Sequence, residues 1–128
     1  MIKFFYVAVG GAAGSVLRYA LSGAVQSRFA QLFPFGTLAV NLAGAFAAGF
    51  LWYFCERTAV PPEARALMFV GVLGGFTTFS AFALENFHLL RDGEAGLMLA
   101  NLLATNAAGV ALVFAGFWTA QYLLKGAS

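Results

Sequence analysis

Charged residues in this chain fall in clusters, and the stretches between the clusters are long and oily. The first apolar stretch follows Lys3 and continues past Arg18 to about Ser27. The second runs from about Pro34 to Phe54 without a charge. The third runs from about Ala64 to Leu90 with Glu85 near its end, and the fourth from about Ala95 to Leu124, again uncharged. Glu56, Arg57, Pro61, Pro62, Glu63 and Arg65 make one connection, and Arg91, Asp92, Gly93 and Glu94 make a tight turn. Roughly 20 apolar residues cross ~30 Å of hydrocarbon as a helix. Open sheet edges cannot be satisfied in lipid, so such stretches must be helices. The pattern predicts one all-α integral membrane domain over residues 1–128, with spans at about 4–27, 34–54, 64–90 and 95–124.

Composition agrees with that reading. The 128 residues are 62% hydrophobic and 9% charged, against about 25% charged in soluble domains. The net charge of +2 is scattered and forms no basic stripe, which excludes nucleic acid as a partner. Cys55 is the single cysteine, so no disulfide framework exists within the chain, and it reads as a small buried hydrophobe. Lys3 followed by AVGGAAGS has the outline of a cleaved leader. The spacing of Gly10 and Gly14, together with Arg18, reads instead as a retained span. Gly10 and Gly14, like Ala45 and Gly49, are placed to let helix backbones approach.

With four spans, both ends lie on one side, together with Lys3, Arg57, Arg65 and Lys125. Arg28 and Arg91 lie on the other, joined by Arg18 if it snorkels that way. Lys/Arg excess orients membrane proteins, and here the excess is nearly nil. The expectation is dual topology: one sequence inserted both ways up.

Nothing in the sequence looks like an active site. There is one histidine, His88, and no HExxH, CxxC or GxSxG pattern. Glu85 and His88 share a helix face near a span end and read as interfacial anchors. GVLGG at 71–75 lacks the lysine of a phosphate loop. The chain is therefore not expected to be an enzyme, and transport remains. Arg18 is the one charge deep in the first span, either lining an electropositive vestibule or snorkelling. Thr37 and Asn41 share one face of the second span, and Asn101, Thr105 and Gly109 make a similar stripe on the fourth. Such stripes are either interhelical glue or the wall of a pathway.

GGFTTFSAF at 74–82 in the third span is poor helix-forming sequence, and a break is expected across Gly74 to Thr78. A break at that depth is tolerated where it lines a cavity or is buried in protein. Phe76, Phe79 and Phe82 recur at three-residue intervals, and aromatic ring edges carry partial positive charge. Amide, hydroxyl and ring-edge groups with few acids suit a small anion better than a cation.

Three blocks, GGAAGSVLRY (10–19), PFGTLAVNLAG (34–44) and GGFTTFSAFALE (74–85), resemble the Fluc, or CrcB-type, fluoride channels. They fall in order, one per span, and with the fourth-span stripe the resemblance covers nearly the whole chain. It implies a passive fluoride channel in the bacterial inner membrane, built as an antiparallel homodimer with two pores. It implies Asn41 as the pore-lining amide, Phe79 and Phe82 as the paired rings facing fluoride, and Ser80 and Thr37 as hydroxyls beside them. Arg18 matches the family's first-span arginine and Thr105 its fourth-span hydroxyl. A structural sodium ion at the dimer interface is implied on the backbone carbonyls of Gly74 and Thr77, two from each chain. Asn101, a pore candidate by its place on the stripe, departs from the family, where many relatives carry tyrosine. Phe76 adds a third ring, and the register of the pair rests on the TTFS match.

Two other classes fit four short spans. A small multidrug transporter needs a carboxylate deep in the first span, where this chain has Arg18 and no acid. A structural subunit of a larger membrane complex would use the same polar stripes as glue.

Overall fold

Proline and glycine set where the long helices start and stop. Pro34 caps the second helix, Pro62 occupies the first turn of the third, where its missing N–H costs nothing, and Gly93 ends the third span at φ 82°. At that last end Glu94 N donates to Leu89 O at 2.8 Å and Gly93 N to Leu90 O at 3.1 Å. This is the paired closure that a left-handed glycine permits. The structure, a computed structural model, describes residues 1–125.

Four helical segments are long and apolar enough to span a membrane: Ile2–Gln26, Phe35–Arg57, Pro62–Arg91 and Ala95–Lys125. No strand occurs among the described residues. We call the first α1 (Ile2–Gln26) and the second α2 (Phe35–Arg57). The third span is two helices, α3 (residues 62–76) and α4 (Phe79–Arg91), and the fourth is α5 (Ala95–Lys125). Ala66–Leu73 in α3 and Ala104–Ala108 in α5 are wound more widely, as π-helix.

α2 runs past the expected end at Phe54 because its last turn is satisfied. Trp52 Nε1 donates to Glu56 Oε1 at 2.8 Å, Thr58 N closes on Phe54 O at 3.1 Å, and Arg57 faces the negative helix end. Gln26 organises the α1–α2 loop. Its Nε2 donates to the carbonyls of Gln31 and Phe33, and its Oε1 accepts from Gly36 N.

The two halves of the third span pack on different helices. α3 lies along α1, whereas α4 lies along the start of α5, and α2 packs chiefly on α5. Glycine makes these approaches possible. A Cβ on Gly10 would stand 2.6 Å from Leu67 O, and one on Gly14 would land on Val72 O, so both glycines of the α1 stripe face α3. Gly49 of α2 and Gly116 of α5 meet backbone of the facing helix in the same way, at Val113 O and Phe46 O.

Little apolar side chain is enclosed. Val40, Tyr53, Cys55, Leu73, Phe82, Leu89 and Ala120 are buried, while Phe4, Val16, Val70, Leu103, Val110 and Trp118 are exposed. Such a surface is untenable in water and ordinary against lipid or another apolar chain.

Candidate functional site

The break in the third span is made by hydroxyls rather than by glycines. The expected break at Gly74 to Thr78 narrows to two residues: Gly74, Gly75 and Phe76 remain helical, and only Thr77 and Thr78 are extended. Thr77 Oγ1 donates back to Leu73 O at 2.9 Å, finishing α3. Thr78 Oγ1 accepts from Ala81 N at 3.2 Å, starting α4 as its N-cap.

Asn41 of α2 then clasps the break. Its Oδ1 accepts from Thr78 N at 2.8 Å and its Nδ2 donates to Thr78 O at 3.0 Å. Both main-chain groups of this extended residue are thereby paired with one side chain. The carboxamide keeps one further N–H.

This arrangement deprives two carbonyls of their helical partners. The amide that would close a turn on Gly74 O is Thr78 N, which donates to Asn41 instead. The amide that would close on Thr77 O is Ala81 N, which donates to Thr78 Oγ1. Gly74 is exposed, and a Cβ there would meet nothing nearer than Phe69 O at 3.7 Å.

Two clefts meet at Thr78. One, of about 600 Å³, is lined by Ser15, Arg18, Tyr19, Ser22, Thr37 and Thr78 among others. The other, of about 430 Å³, is lined by Asn41, Thr77, Thr78, Phe79, Phe82 and Thr105 among others. The Asn41–Thr78 clasp stands where they adjoin. Arg18 Nε donates to Gly75 O at 2.9 Å, placing the cation at the carbonyl end of α3. Four guanidinium N–H groups remain for the cleft.

The structure thus brings Asn41, Phe79, Phe82 and Thr105 to one cleft, and Arg18 and Thr37 to its neighbour. The two rings differ in setting: Phe82 is buried and Phe79 is exposed, with centroids 5.7 Å apart and planes 54° from each other. Gly44 provides room for the Thr77 methyl, on which its Cβ would fall. Ser80 is exposed and joins the site through Thr78, hydroxyl to hydroxyl at 3.3 Å. Asn101 is enclosed at 1% exposure and faces Asn86 and Thr105 rather than a cleft.

Two participants were not anticipated. Glu85, which shares a helix face with His88, also accepts from Thr37 Oγ1 across to α2. Thr78, which the sequence marks only as the last residue of the expected break, caps the helix that follows. A hydroxyl at the first residue of a new helix is an N-cap signal, and it marks the start of α4.

The family model for CrcB-like protein, Camphor Resistance (CrcB), matches residues 5–117. A protein of Aquifex aeolicus named fluoride-specific ion channel FluC is 52% identical over 114 residues, covering 88% of this chain and 92% of its own. One of the same name from Parabacteroides distasonis is 46% identical over 116 residues, covering 91% of each. Another from Salinibacter ruber is 40% identical over 126 residues, covering 98% of this chain and 95% of its own.

Proposed function

The chain belongs to the CrcB-like family, and on that footing we propose that it is a fluoride-selective channel that lets fluoride leave the cell passively across the bacterial inner membrane. One observation carries the reading: an amide, two aromatic rings and a hydroxyl, from Asn41, Phe79, Phe82 and Thr105, line a single cleft at a mid-span break. The adjoining cleft holds Arg18 and collects anions. Asn41 offers its remaining N–H, and the ring edges of Phe79 and Phe82 offer weak positive potential. Weak, repeated contacts suit conduction, since an ion must leave as readily as it enters.

The working unit is an antiparallel homodimer with two pores. The near balance of Lys and Arg between the two sides supports it, as does the exposure of Phe79 on a single chain. A sodium ion at the dimer interface fits the carbonyls of Gly74 and Thr77. Both lack their helical donors, and uncharged oxygens suit a hard cation. When bound, the ion would supply a positive centre joining the two breaks, with two oxygens from each chain. Exchanging sodium for a large organic cation is expected to loosen the dimer, read by energy transfer between labelled protomers; unchanged association removes the sodium reading. C-terminal reporters active on opposite sides of the membrane should both give signal, and signal from one side alone would rule out dual topology.

Purified protein in liposomes tests the function. Fluoride efflux at an electrode should be fast and chloride efflux absent. No fluoride efflux removes the channel reading, and proton-coupled efflux of a cationic dye would favour a pump. Phe79→Ile and Phe82→Ile should each slow fluoride by roughly tenfold or more, about 1.4 kcal/mol of barrier, with the dimer intact. Phe79→Ile is the cleaner of the two because its ring is exposed. Unchanged flux in both would reduce the rings to packing.

A further inference from the structure

A buried chain of hydrogen bonds ends at the Phe cleft, and its direction is fixed from its far end. Asn86 Nδ2 donates to Phe82 O at 2.8 Å. Asn101 Nδ2 donates to Asn86 Oδ1 at 3.2 Å. Thr105 Oγ1 donates to Asn101 Oδ1 at 3.2 Å. Asn86 and Asn101 are 7% and 1% exposed, so water does not compete.

A backbone carbonyl can only accept. Phe82 O therefore requires the nitrogen of Asn86, which turns the Asn86 oxygen toward Asn101. That oxygen requires the nitrogen of Asn101, which turns the Asn101 oxygen toward Thr105. The Thr105 hydroxyl has one proton and must give it to Asn101. What it presents to the cleft it lines is then lone pairs. Thr119, on the same helix, shows the ordinary alternative, donating to the carbonyl four residues back, Ala115 O, at 2.7 Å. Thr105 instead donates to the side chain four residues back, within the π-wound turn.

We propose that Asn86 and Asn101 are positioning residues that set how loosely the pathway holds its anion, by committing the Thr105 proton away from the cleft. The proposal rests on the channel reading above. An arriving anion draws the Thr105 proton to itself only by leaving Asn101 Oδ1 buried without a donor. That cost is charged against binding and weakens it. A pathway that must release its ion gains from the penalty.

The test is fluoride efflux from liposomes as a function of fluoride concentration. Asn101→Leu removes the acceptor of the Thr105 proton, and half-saturating fluoride should fall roughly tenfold, the scale of one hydrogen bond to a charged group. Asn86→Leu frees the Asn101 amide to turn over and should move half-saturation the same way by less. Maximal flux should fall with it, because release is slower. Adding Thr105→Val to Asn101→Leu should abolish the gain in affinity. A merely structural role would lower melting temperature and flux without moving half-saturation, and that outcome overturns the proposal. A shift that survives Thr105→Val also overturns it. Should the leucine variants not fold, the unaltered protein decides. The side-chain amide nitrogen signals of Asn101 and Asn86 should move together on fluoride titration, and signals unmoved at saturation overturn it. Absent fluoride flux in the unaltered protein would sink the channel reading itself, whereas normal flux with unmoved half-saturation sinks only this inference.

Discussion

Asn41→Leu is expected to abolish fluoride efflux and to destabilise the chain. Leucine has the same branched four-atom side chain as asparagine, so the change removes polarity and leaves no void. It strands Thr78 N–H and Thr78 C=O, which Asn41 alone pairs at the break. Each orphaned group at this depth costs about 1–3 kcal/mol, so the pair costs roughly 2–6 kcal/mol together. The cheapest escape is for Thr78 to rejoin a helix. That would return Gly74 O and Thr77 O to helical donors and close the site where the two clefts adjoin. Efflux and melting temperature in detergent should therefore fall together. An Asn41→Leu protein that melts normally and still conducts would show that the clasp neither shapes the break nor serves the ion.

Gly49→Val should be the most damaging packing change, and it acts far from the polar site. A Cβ at Gly49 would land on the carbonyl oxygen of Val113, with Phe117 N at 3.0 Å. Both are backbone atoms of α5, so no rotamer change relieves the overlap and the helices must separate along their main contact. Overpacking typically costs about 1–3 kcal/mol, and a clash against backbone belongs at or above the top of that range. Loss of the folded species on size exclusion is the expected result. Gly96→Ala is the control: nothing lies within 4 Å of its Cβ position, and alanine is the better helix former. If Gly49→Val melts like Gly96→Ala, the α2–α5 approach is not as close as the geometry has it.

These two positions illustrate how unevenly the sequence could be read. Gly49 was legible: its spacing from Ala45 marks a face where backbones approach, and the reason is local to one helix. Asn41 was legible as a polar group in an oily span, but its partner was not. Thr78 is 37 residues away, and the hydrogen bonds exist only because α2 crosses the third span at that point. The break was expected from weak helix formers, yet the glycines stayed helical. Their weakness is a propensity of about 1 kcal/mol, whereas Thr77 and Thr78 end and restart the helix with hydroxyls and are held there by Asn41. The Glu85–His88 pair is legible from spacing along one helix, whereas the Glu85–Thr37 contact exists only through packing between two helices. Asn86 is not legible, because an asparagine between Glu85 and His88 near a span end gives no sign of the carbonyl it anchors on.

By itself, then, the sequence determined that the chain spans a membrane, where its four helices lie, and which polar groups sit at depth. Those follow from hydrophobic length and from the cost of unpaired backbone in lipid, and both are properties of contiguous residues. The tertiary structure decided which polar groups face each other, which hydroxyl protons are already committed, and which residues form one cleft. Hydrogen-bond direction depends on both partners at once, and in a bundle of helices the partner is rarely a neighbour in the chain.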